Sequence, residues 1–373
     1  MPRKTLEIDD YSNPYAPRRK VLQLLTPEEC TNVLRAHEES YLVSRGNGVY
    51  RYDVNQIASN DPIEDDRVEQ IIAAPNPSSP GTDNPMDVTK GVTDLKTGVK
   101  NATGEYGDWM FWALFDGHSG WYTSDLLKRQ LVPYVVRELS NLYSQGKLTN
   151  DTTPLQSPPS SLAVDQAIQR GFTALDDEIV LNSVKRLLKN PSKRLAADIL
   201  LPANAGSCAL LTFLDSQTGR LKVACTGDSR AILGRKDAKT GKWVVEVLSV
   251  DQTGNNMDEA NRIRKEHPGE ERDVVRRGRV LGQLEPTRAV TPQTPPETDF
   301  CSLVTHGINS LLRFRKSYKN TGVVHSLHYV KHRPTSPPNP SSRPRRFPPL
   351  TCPPRSSSWA QTDSGKNSRM KKS

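Results

Sequence analysis

The sequence predicts an α+β fold in which amphipathic helices pack beside antiparallel strands. Apolar residues recur at helical spacing from Leu127 to Leu142 and again from Val164 to Leu188. Four short apolar runs follow Gly206, and turn sequences of the hairpin type separate them. Helices and consecutive antiparallel strands in one chain are typical of layered α+β domains.

The first quarter of the chain contains one predicted helix behind an extended arm. Residues 1–25 hold three prolines and a basic cluster, which indicates an extended segment. Thr26 is an N-cap residue followed by proline and two acidic residues, so we expect a helix from Pro27 to about Glu39. Residues 73–107 are dense in Pro, Gly, Asn, Asp and Thr without periodicity, and this composition predicts a long surface loop.

A short aromatic run marks the centre of the predicted sheet. Residues Trp109–Phe115 are bounded by glycines, which favours a strand buried on both faces. The run ends in the polar triplet Asp116-Gly117-His118. The first long helix follows and contains Pro133, a residue that can kink it. A Pro/Ser-rich linker at residues 154–161 then precedes the second long helix.

The second half of the predicted domain is mainly β-structure. Strands are expected at Ser207–Leu214, Leu221–Thr226, Ala231–Arg235 and Trp243–Ser249. The turn sequences Asp215–Gly219 and Asp237–Lys242 predict two hairpins. A charged helix from Asn255 to His267 ends before Pro268. The folded domain is therefore expected to cover residues 26–289.

The charge is placed unevenly along the chain. The formal net charge is +9, but residues 290–373 hold 14 Lys/Arg and 3 Asp/Glu, which leaves 37 and 39 in residues 1–289. The same segment holds 12 of the 29 prolines, so we expect a disordered basic tail. The body is slightly acidic, and no nucleic-acid partner is expected. A tail that binds RNA or acidic surfaces is a weaker alternative.

Composition also excludes several other classes of protein. The five cysteines form no CxxC pair, which argues against a disulfide framework and a zinc site. No apolar run approaches the ~18 residues of a membrane span. The first ten residues carry three acidic residues and lack an apolar core, so neither a signal peptide nor a transit peptide is visible.

Three acidic motifs are candidates for metal chemistry, and each has an ordinary structural alternative. Asp116-Gly117-His118 ends a buried strand, where carboxylate and carbonyl oxygens can bind hard cations. The alternative is a capped turn. Glu64-Asp65-Asp66 is three consecutive carboxylates, a pattern that more often forms a solvated acidic turn. Gly227-Asp228 lies between two predicted strands, where a plain β-turn is the alternative.

Each of these three motifs is a weak signal alone, but their order and spacing along the chain are specific. Five segments resemble, in order, the motifs of the PPM-type (type 2C) metal-dependent serine/threonine phosphatases. They are Asn55–Asp65, Phe115–Gly120, Gly206–Ala209, Thr226–Ala231 and Gly282–Ala289. The first of them and the Thr26–Ser40 stretch look most like the pyruvate dehydrogenase phosphatase branch. The resemblance covers roughly residues 26–289.

The resemblance implies an αββα sandwich with a two-metal centre of Mn²⁺ or Mg²⁺. Carried over position by position, Asp116 would bridge the metals and Gly117 would offer its carbonyl. Glu64 would bind the second metal with support from Asp65. Asp228 would lie near a third, weaker metal position. His118 would act as the general acid.

The implied function is dephosphorylation of phosphoserine or phosphothreonine proteins by a metal-activated water. The implied partner is the E1α subunit of the pyruvate dehydrogenase complex, and the implied location is the mitochondrial matrix, with the cytoplasm as the alternative. A function of another class remains open at this point. The chain could be a catalytically inactive scaffold that binds phosphoproteins.

The sequence departs from the family pattern at two places. Many members have Arg four residues before the metal-binding Glu, where this chain has Asn60, so we expect a weaker contact to the substrate phosphate. After Ala289 the family continues with further strands and two more metal-binding aspartates. The aspartates here, Asp299 and Asp363, lack that sequence context. We therefore expect an incomplete sandwich, and the tail has the composition that a wrong reading frame or a translated intron would give.

Overall fold

Strand β7 (Asp108–His118) runs through the middle of a six-stranded antiparallel sheet in the computed structural model. The structure describes residues 4–10, 18–43, 49–74, 93–94, 107–144, 158–290 and 323–328. In spatial order, the strands of this sheet are β14 (Val323–His328), β9 (Arg220–Thr226), β8 (Gly206–Asp215), β7, β5 (Asp66–Ala73) and β6 (Thr93–Asp94). The strand predicted at Trp109–Phe115 is confirmed, and the α+β class is confirmed with it.

The two faces of β7 have different neighbours, because successive side chains of a strand point to opposite faces. Trp109, Phe111 and Phe115 belong to the main hydrophobic core beneath the helices. Met110 packs on the other face in a cluster with Tyr52. This second face is covered by the hairpin of β3 (Glu39–Leu42) and β4 (Arg51–Val54). The cover does not reach Leu114, which is 52% exposed, so the strand is buried on both faces only along its first half.

Two long helices cover the first face of the sheet. They are α2 (Tyr122–Ser144) and α3 (Ser161–Asp177). Their buried side chains are those that the helical spacing predicted, including Leu127, Leu131 and Ile168. The helices approach closely at Gly171, where an added Cβ would lie 2.8 Å from the backbone of Val135.

The second long helix is interrupted where the sequence predicted continuity. A π-helical turn, Glu178–Asn182, joins α3 to α4 (Ser183–Lys189). Beyond it, Val184 and Leu187 leave the main core and form a small cluster with Ala196 and Leu200. These last two belong to α5 (Lys193–Asn204), a helix capped by Ser192 that the sequence analysis did not predict.

The N-terminal segment, predicted as an extended arm, contains two paired strands. Strand β1 (Thr5–Asp10) pairs with β2 (Arg18–Gln23), and acidic residues of the first strand face basic residues of the second. Helix α1 (Pro27–Arg35) begins as predicted, with Thr26 and Glu29 forming a capping box. It ends earlier than expected, because Glu39 already belongs to β3.

Beyond β9 the chain forms small elements outside the large sheet. Strands β10 (Ile232–Lys236) and β11 (Trp243–Val247) form a separate antiparallel ribbon, so β9 and β10 do not pair as the consecutive strands suggested. Helix α6 (Met257–Glu266) has Asn256 as its N-cap. The short strands β12 (Val275–Arg276) and β13 (Arg279–Val280) follow it. Val290 then returns to the large sheet and bridges to Ser207.

Strand β14 corrects one expectation for the basic tail. No element was predicted after Ala289, yet Val323–His328 pairs antiparallel with β9. Strand pairing uses backbone hydrogen bonds, so it does not require an alternating pattern of apolar residues in the sequence. The rest of the tail lies outside the described residues, as does most of the loop predicted at 73–107. The chain divides into two compact units, 1–331 and 332–373, and the second also lies outside them. Of the helices that the structure describes, none has the length and apolar character to cross a membrane.

Candidate metal centre

The triplet Asp116-Gly117-His118 forms the last three residues of β7 and not a turn after it. Pairing with β8 continues to the end of the triplet, so that Asp116 lies opposite Cys208 and His118 lies opposite Gly206. Partners in such a register place their side chains on the same face. This is the face opposite the two long helices, and Asp116 is exposed there.

The Glu64–Asp65 segment lies directly against the end of β7. A Cβ added to Gly117 would lie 2.1 Å from the backbone oxygen of Glu64, so only glycine fits at this position. The Gly117 N–H donates to the carboxylate of Asp65. The Glu64 carboxylate accepts from the Gly120 N–H at 3.1 Å, and the Ser124 hydroxyl donates to the Glu64 carbonyl at 2.5 Å. These contacts hold both acidic residues beside Asp116.

Four carboxylates therefore lie near one another at the end of β7, and among them ligand atoms of Asp116 and Asp228 come within 4.8 Å of each other. The pKa of Asp116 is raised to about 6, first because surrounding groups desolvate its carboxylate even though the residue as a whole is exposed, and then by the negative charges of Asp65, Asp228 and Glu64. Such mutual repulsion is relieved by a cation, and carboxylate and carbonyl oxygens are the ligands that Mn²⁺ and Mg²⁺ prefer. The predicted set of Glu64, Asp65, Asp116 and Asp228 thus lies together, and its donor atoms fit hard divalent cations.

Asp228 reaches the site from a tight turn after β9. Gly227 has φ +113°, a conformation that favours glycine, and a Cβ there would lie 2.3 Å from the Cys208 sulfur. The Gly227 N–H donates to the side-chain oxygen of Gln252 at 2.7 Å. The Cys208 thiol donates to Asp228 Oδ1 at 3.2 Å.

Cys208 is a member of the site that the sequence analysis missed. One ligand atom from each of Asp116, Cys208 and Asp228 lies within 4.8 Å of the other two. The thiol is buried, and both its burial and the charge of Asp228 raise its pKa. The Gly206–Ala209 motif placed the residue near the site, but its contact with Asp228 depends on strand register between distant segments.

His118 is enclosed beside the carboxylates. Its Nε2 is buried without a hydrogen-bond partner among the described residues, and a Cβ on Gly206 would lie 2.2 Å from it. Burial lowers the pKa of His118 to about 4, although Asp228 and a backbone hydrogen bond to Asp116 oppose the shift. The ring is therefore neutral at pH 7. The predicted role as general acid requires that Nε2 is first protonated, so it stays a prediction.

Asn60 is not brought into the site. Its side chain is exposed and accepts a hydrogen bond from Ser59 at 3.5 Å. A cleft of about 290 Å³ lies beside Asp116, and its walls include Asn55, Gln56 and Ser229 but not Asn60. The predicted contact between Asn60 and a substrate phosphate has no support in this geometry and stays a prediction.

A family model decides the classification. The model for protein phosphatase 2C matches residues 84–292, which is more than half of the chain. The chain belongs to the protein phosphatase 2C family. The matched region contains Asp116, Gly117, His118 and Asp228, and the α+β architecture agrees with this membership.

Curated relatives of this phosphatase family extend the match. The chain is 44% identical over 256 residues to the mitochondrial pyruvate dehydrogenase (acetyl-transferring) phosphatase 1 of Saccharomyces cerevisiae, covering 69% of this chain and 40% of that protein. It is 44% identical over 260 residues to a protein phosphatase 2C homologue of Schizosaccharomyces pombe, covering 69% and 50%. The chain thus spans about half the length of the curated relatives it matches.

A solved structure is more distantly similar. The crystal structure of serine-threonine phosphatase 2C from Toxoplasma gondii is 18% identical, with a TM-score of 0.43 and coverage of 78% of each chain. Membership of the family is shown by the sequence match over residues 84–292.

Proposed function

We propose that this chain carries the metal-binding part of a serine/threonine protein phosphatase. The observation that carries the proposal is the placement of Glu64, Asp65 and Asp228 around Asp116 at one end of the large sheet, where the Gly120 and Gly117 N–H groups hold the first two carboxylates. Desolvation and then the three negative charges raise the pKa of Asp116 to about 6. Carboxylates with shifted pKa values that are grouped at the end of a central strand indicate a functional site. Membership of the protein phosphatase 2C family supports the reaction class.

The residues of the site have separate tasks in this proposal. Asp116, Glu64 and the carbonyl of Gly117 would hold two divalent cations, with Asp65 and Asp228 in support. Bound Mn²⁺ or Mg²⁺ supplies an activated water and neutralises the charge of the phosphate. Gly120 and Ser124 keep Glu64 in place through their hydrogen bonds. His118 would transfer a proton to the leaving group once its ring is protonated.

The proposed substrate is a phosphoserine of pyruvate dehydrogenase E1α in the mitochondrial matrix. The support is the 44% identity to a yeast protein that is named for dephosphorylating pyruvate dehydrogenase and is mitochondrial. The cleft beside Asp116 opens on the same face of the sheet, next to Asn55 and Gln56. Arg67 also lines the cleft, but its guanidinium is paired with Glu39 and Glu69, so the neutral amides of Asn55 and Gln56 are the groups we propose for the phosphate contact.

Manganese-dependent hydrolysis of an E1α phosphoserine peptide tests the proposal. The full chain, freed of metal with a chelator, should release phosphate only after Mn²⁺ or Mg²⁺ is added, and Asp116→Asn should show no release. A phosphoserine peptide of unrelated sequence is the control for substrate choice, and it should be hydrolysed more slowly than the E1α peptide. Tight peptide binding without any metal-dependent release would favour the inactive scaffold instead.

A further inference from the structure

We propose that Leu114 and Ile57, which line the cleft beside Asp116, form an apolar subsite that selects substrates with an aliphatic side chain two residues from the phosphoserine. The inference rests on the proposed function, because the phosphate must bind at the metal centre for a nearby substrate residue to reach the subsite. It goes further by stating which sequence around the phosphoserine this chain prefers.

Leu114 is exposed at a place where an apolar side chain is normally covered. It lies on β7, which has paired strands on both sides, yet 52% of the residue is open to solvent. Its partner on β8, Leu210, is only 6% exposed and belongs to a cluster with Leu248. Toward the start of β7, Met110 is covered by the β3–β4 hairpin. Leu114 therefore lies in a gap between two covered parts of the sheet.

Ile57 adds a second apolar side chain to this gap. It is 52% exposed and lines the same cleft of about 290 Å³ as Leu114. Two hydrogen bonds hold the segment that carries it. The Asn55 amide donates to a backbone oxygen of α1 at 2.8 Å, and the Gln56 amide donates to the backbone oxygen of Asp65 at 3.3 Å. The apolar surface is thus in place before a substrate binds.

The distance from the subsite to the metal centre matches the repeat of an extended peptide. Leu114 and Asp116 are two residues apart on one strand, so their side chains share a face and lie about 7 Å apart along it. In an extended peptide, residues two apart share a face at the same spacing, whereas adjacent residues point to opposite faces. A phosphoserine held at the Asp116 end of the cleft therefore places the side chain two positions away over Leu114.

The charges of the cleft favour a neutral side chain at the subsite. Arg67 is the one basic residue among the described residues that line the cleft, and its guanidinium is paired with Glu39 and Glu69 at 3.0 and 2.5 Å. An acidic substrate residue would therefore be repelled by the carboxylates of the cleft. An aliphatic side chain packed on Leu114 and Ile57 removes apolar surface of both partners from water. A basic side chain, attracted by the same carboxylates, is the competing occupant.

Fluorescence anisotropy with labelled peptides tests the inference on the full chain with Mn²⁺. Each peptide carries a non-hydrolysable phosphonate analogue of phosphoserine, so binding is measured without turnover. A peptide with Leu two positions from the analogue, on one of its two sides, should bind about tenfold more tightly than the same peptide with Asn there. Leu at the adjacent positions should give no gain. Tighter binding of the Lys or Asp peptide than of the Leu peptide would overturn the apolar subsite.

Three variants assign the preference to particular side chains. Leu114→Asn should bind the Leu and Asn peptides with nearly equal affinity. Ile57→Asn should also reduce the preference, which provides a second test if Leu114→Asn does not fold. Leu42→Asn is the matched control and should keep the full preference, because Leu42 is a 71% exposed leucine on β3 that does not line the cleft. A preference that survives in both Leu114→Asn and Ile57→Asn would refute the inference.

Phosphate release separates the subsite from the phosphatase activity. If the analogues bind with the expected preference but no phosphate is released from the corresponding phosphoserine peptides, the subsite stands and the phosphatase proposal fails. If the chain releases phosphate but binds the Leu and Asn peptides equally, the phosphatase proposal stands and the subsite fails. The absence of measurable binding to any of the peptides would also overturn the subsite.

Discussion

The backbone oxygen of Glu64 occupies the space beside Gly117 in which any other residue would place its Cβ, 2.1 Å away. The contact joins two segments more than 50 residues apart, and the hydrogen bond from Ser124 to the same oxygen reinforces it. It explains why an acidic turn, which is usually solvated, is held against the end of the central strand.

Gly117→Ala should therefore separate the Glu64 segment from Asp116. We expect stability to fall by about 1–3 kcal/mol, as overpacking does in other cores, and manganese affinity to fall at least about tenfold. Thermal unfolding and calorimetry measure the two effects. Gly234→Ala is the control, because a Cβ there meets only Trp243 at ordinary contact distance. Unchanged manganese affinity in Gly117→Ala would show that the contact does not shape the site.

Asp116→Asn should abolish manganese binding and make the metal-free protein more stable. The second effect follows from the repulsion among Asp116, Asp65, Asp228 and Glu64, which falls when one charge is removed. Urea unfolding in chelator and calorimetry with Mn²⁺ measure the two effects. Manganese affinity equal to that of the wild-type protein would refute the assignment of Asp116 as a ligand.

His118→Ala should slow turnover without preventing metal binding. Loss of a general acid costs about 10²- to 10⁴-fold in rate, whereas the ring nitrogen Nε2 contacts none of the described residues through a hydrogen bond. Phosphopeptide hydrolysis and manganese calorimetry should therefore respond differently. Equal loss in both measurements would indicate that His118 supports the metal site instead of transferring a proton.

Glu259 gives the protein a stability that depends on pH. Burial alone would raise the pKa of this carboxyl, but hydrogen bonds from Arg288 and Arg262 outweigh it and lower the pKa from 4.5 to about 2. Because the folded value is lower, the stabilisation is complete above pH 4.5 and is lost as the pH falls toward 2. Arg288 lies in the last family motif, so the pair anchors that motif to α6.

Urea unfolding of wild type and Glu259→Gln at several pH values tests this linkage. The variant should be less stable at pH 7, since Arg288 and Arg262 lose their contacts with the Glu259 carboxylate. The difference should shrink as the solution is acidified through the window from 4.5 toward 2. A difference that stays constant across that window would show that Glu259 ionisation does not contribute.

Local patterns predicted the fold where the interactions are local. The helix at Leu127–Leu142 and the strand at Trp109–Phe115 follow from the spacing of apolar residues, and the Thr26 cap follows from short-range chemistry. Strand β5 was missed because charged residues interrupt its apolar pattern, although it pairs with β7 along its whole length. The π-helical turn at Glu178–Asn182 also has no sequence period to reveal it.

The sequence predicted most residues of the candidate site but not the contacts between them. Family motifs named Glu64, Asp116 and Asp228, and these residues do lie together. Cys208 was missed because its position opposite Asp116 depends on the register of two strands about 90 residues apart in sequence. The partnerless Nε2 of His118 likewise depends on how closely Gly206 approaches, which no local pattern encodes.

An exposed apolar ribbon leads to the last prediction. Trp243, Val245 and Val247 lie on one face of β11 and are 71%, 60% and 60% exposed. Ile232, which lies opposite Val247, is 60% exposed. Apolar strands left open in this way promote association. The full chain should therefore self-associate in light scattering. Val245→Lys should reduce the association, and Val244→Lys on the opposite face is the matched control.

A family C-terminal segment joined after Ala289 should increase manganese-dependent phosphatase activity. The expectation follows from the family resemblance, which implies two further metal-binding aspartates whose sequence context Asp299 and Asp363 lack. The extended protein should hydrolyse phosphoserine peptide with manganese at about 1 per second or faster, as enzymes typically do. If the 373-residue chain already reaches that rate as a folded monomer, then its own residues complete the site and the family segment is not needed.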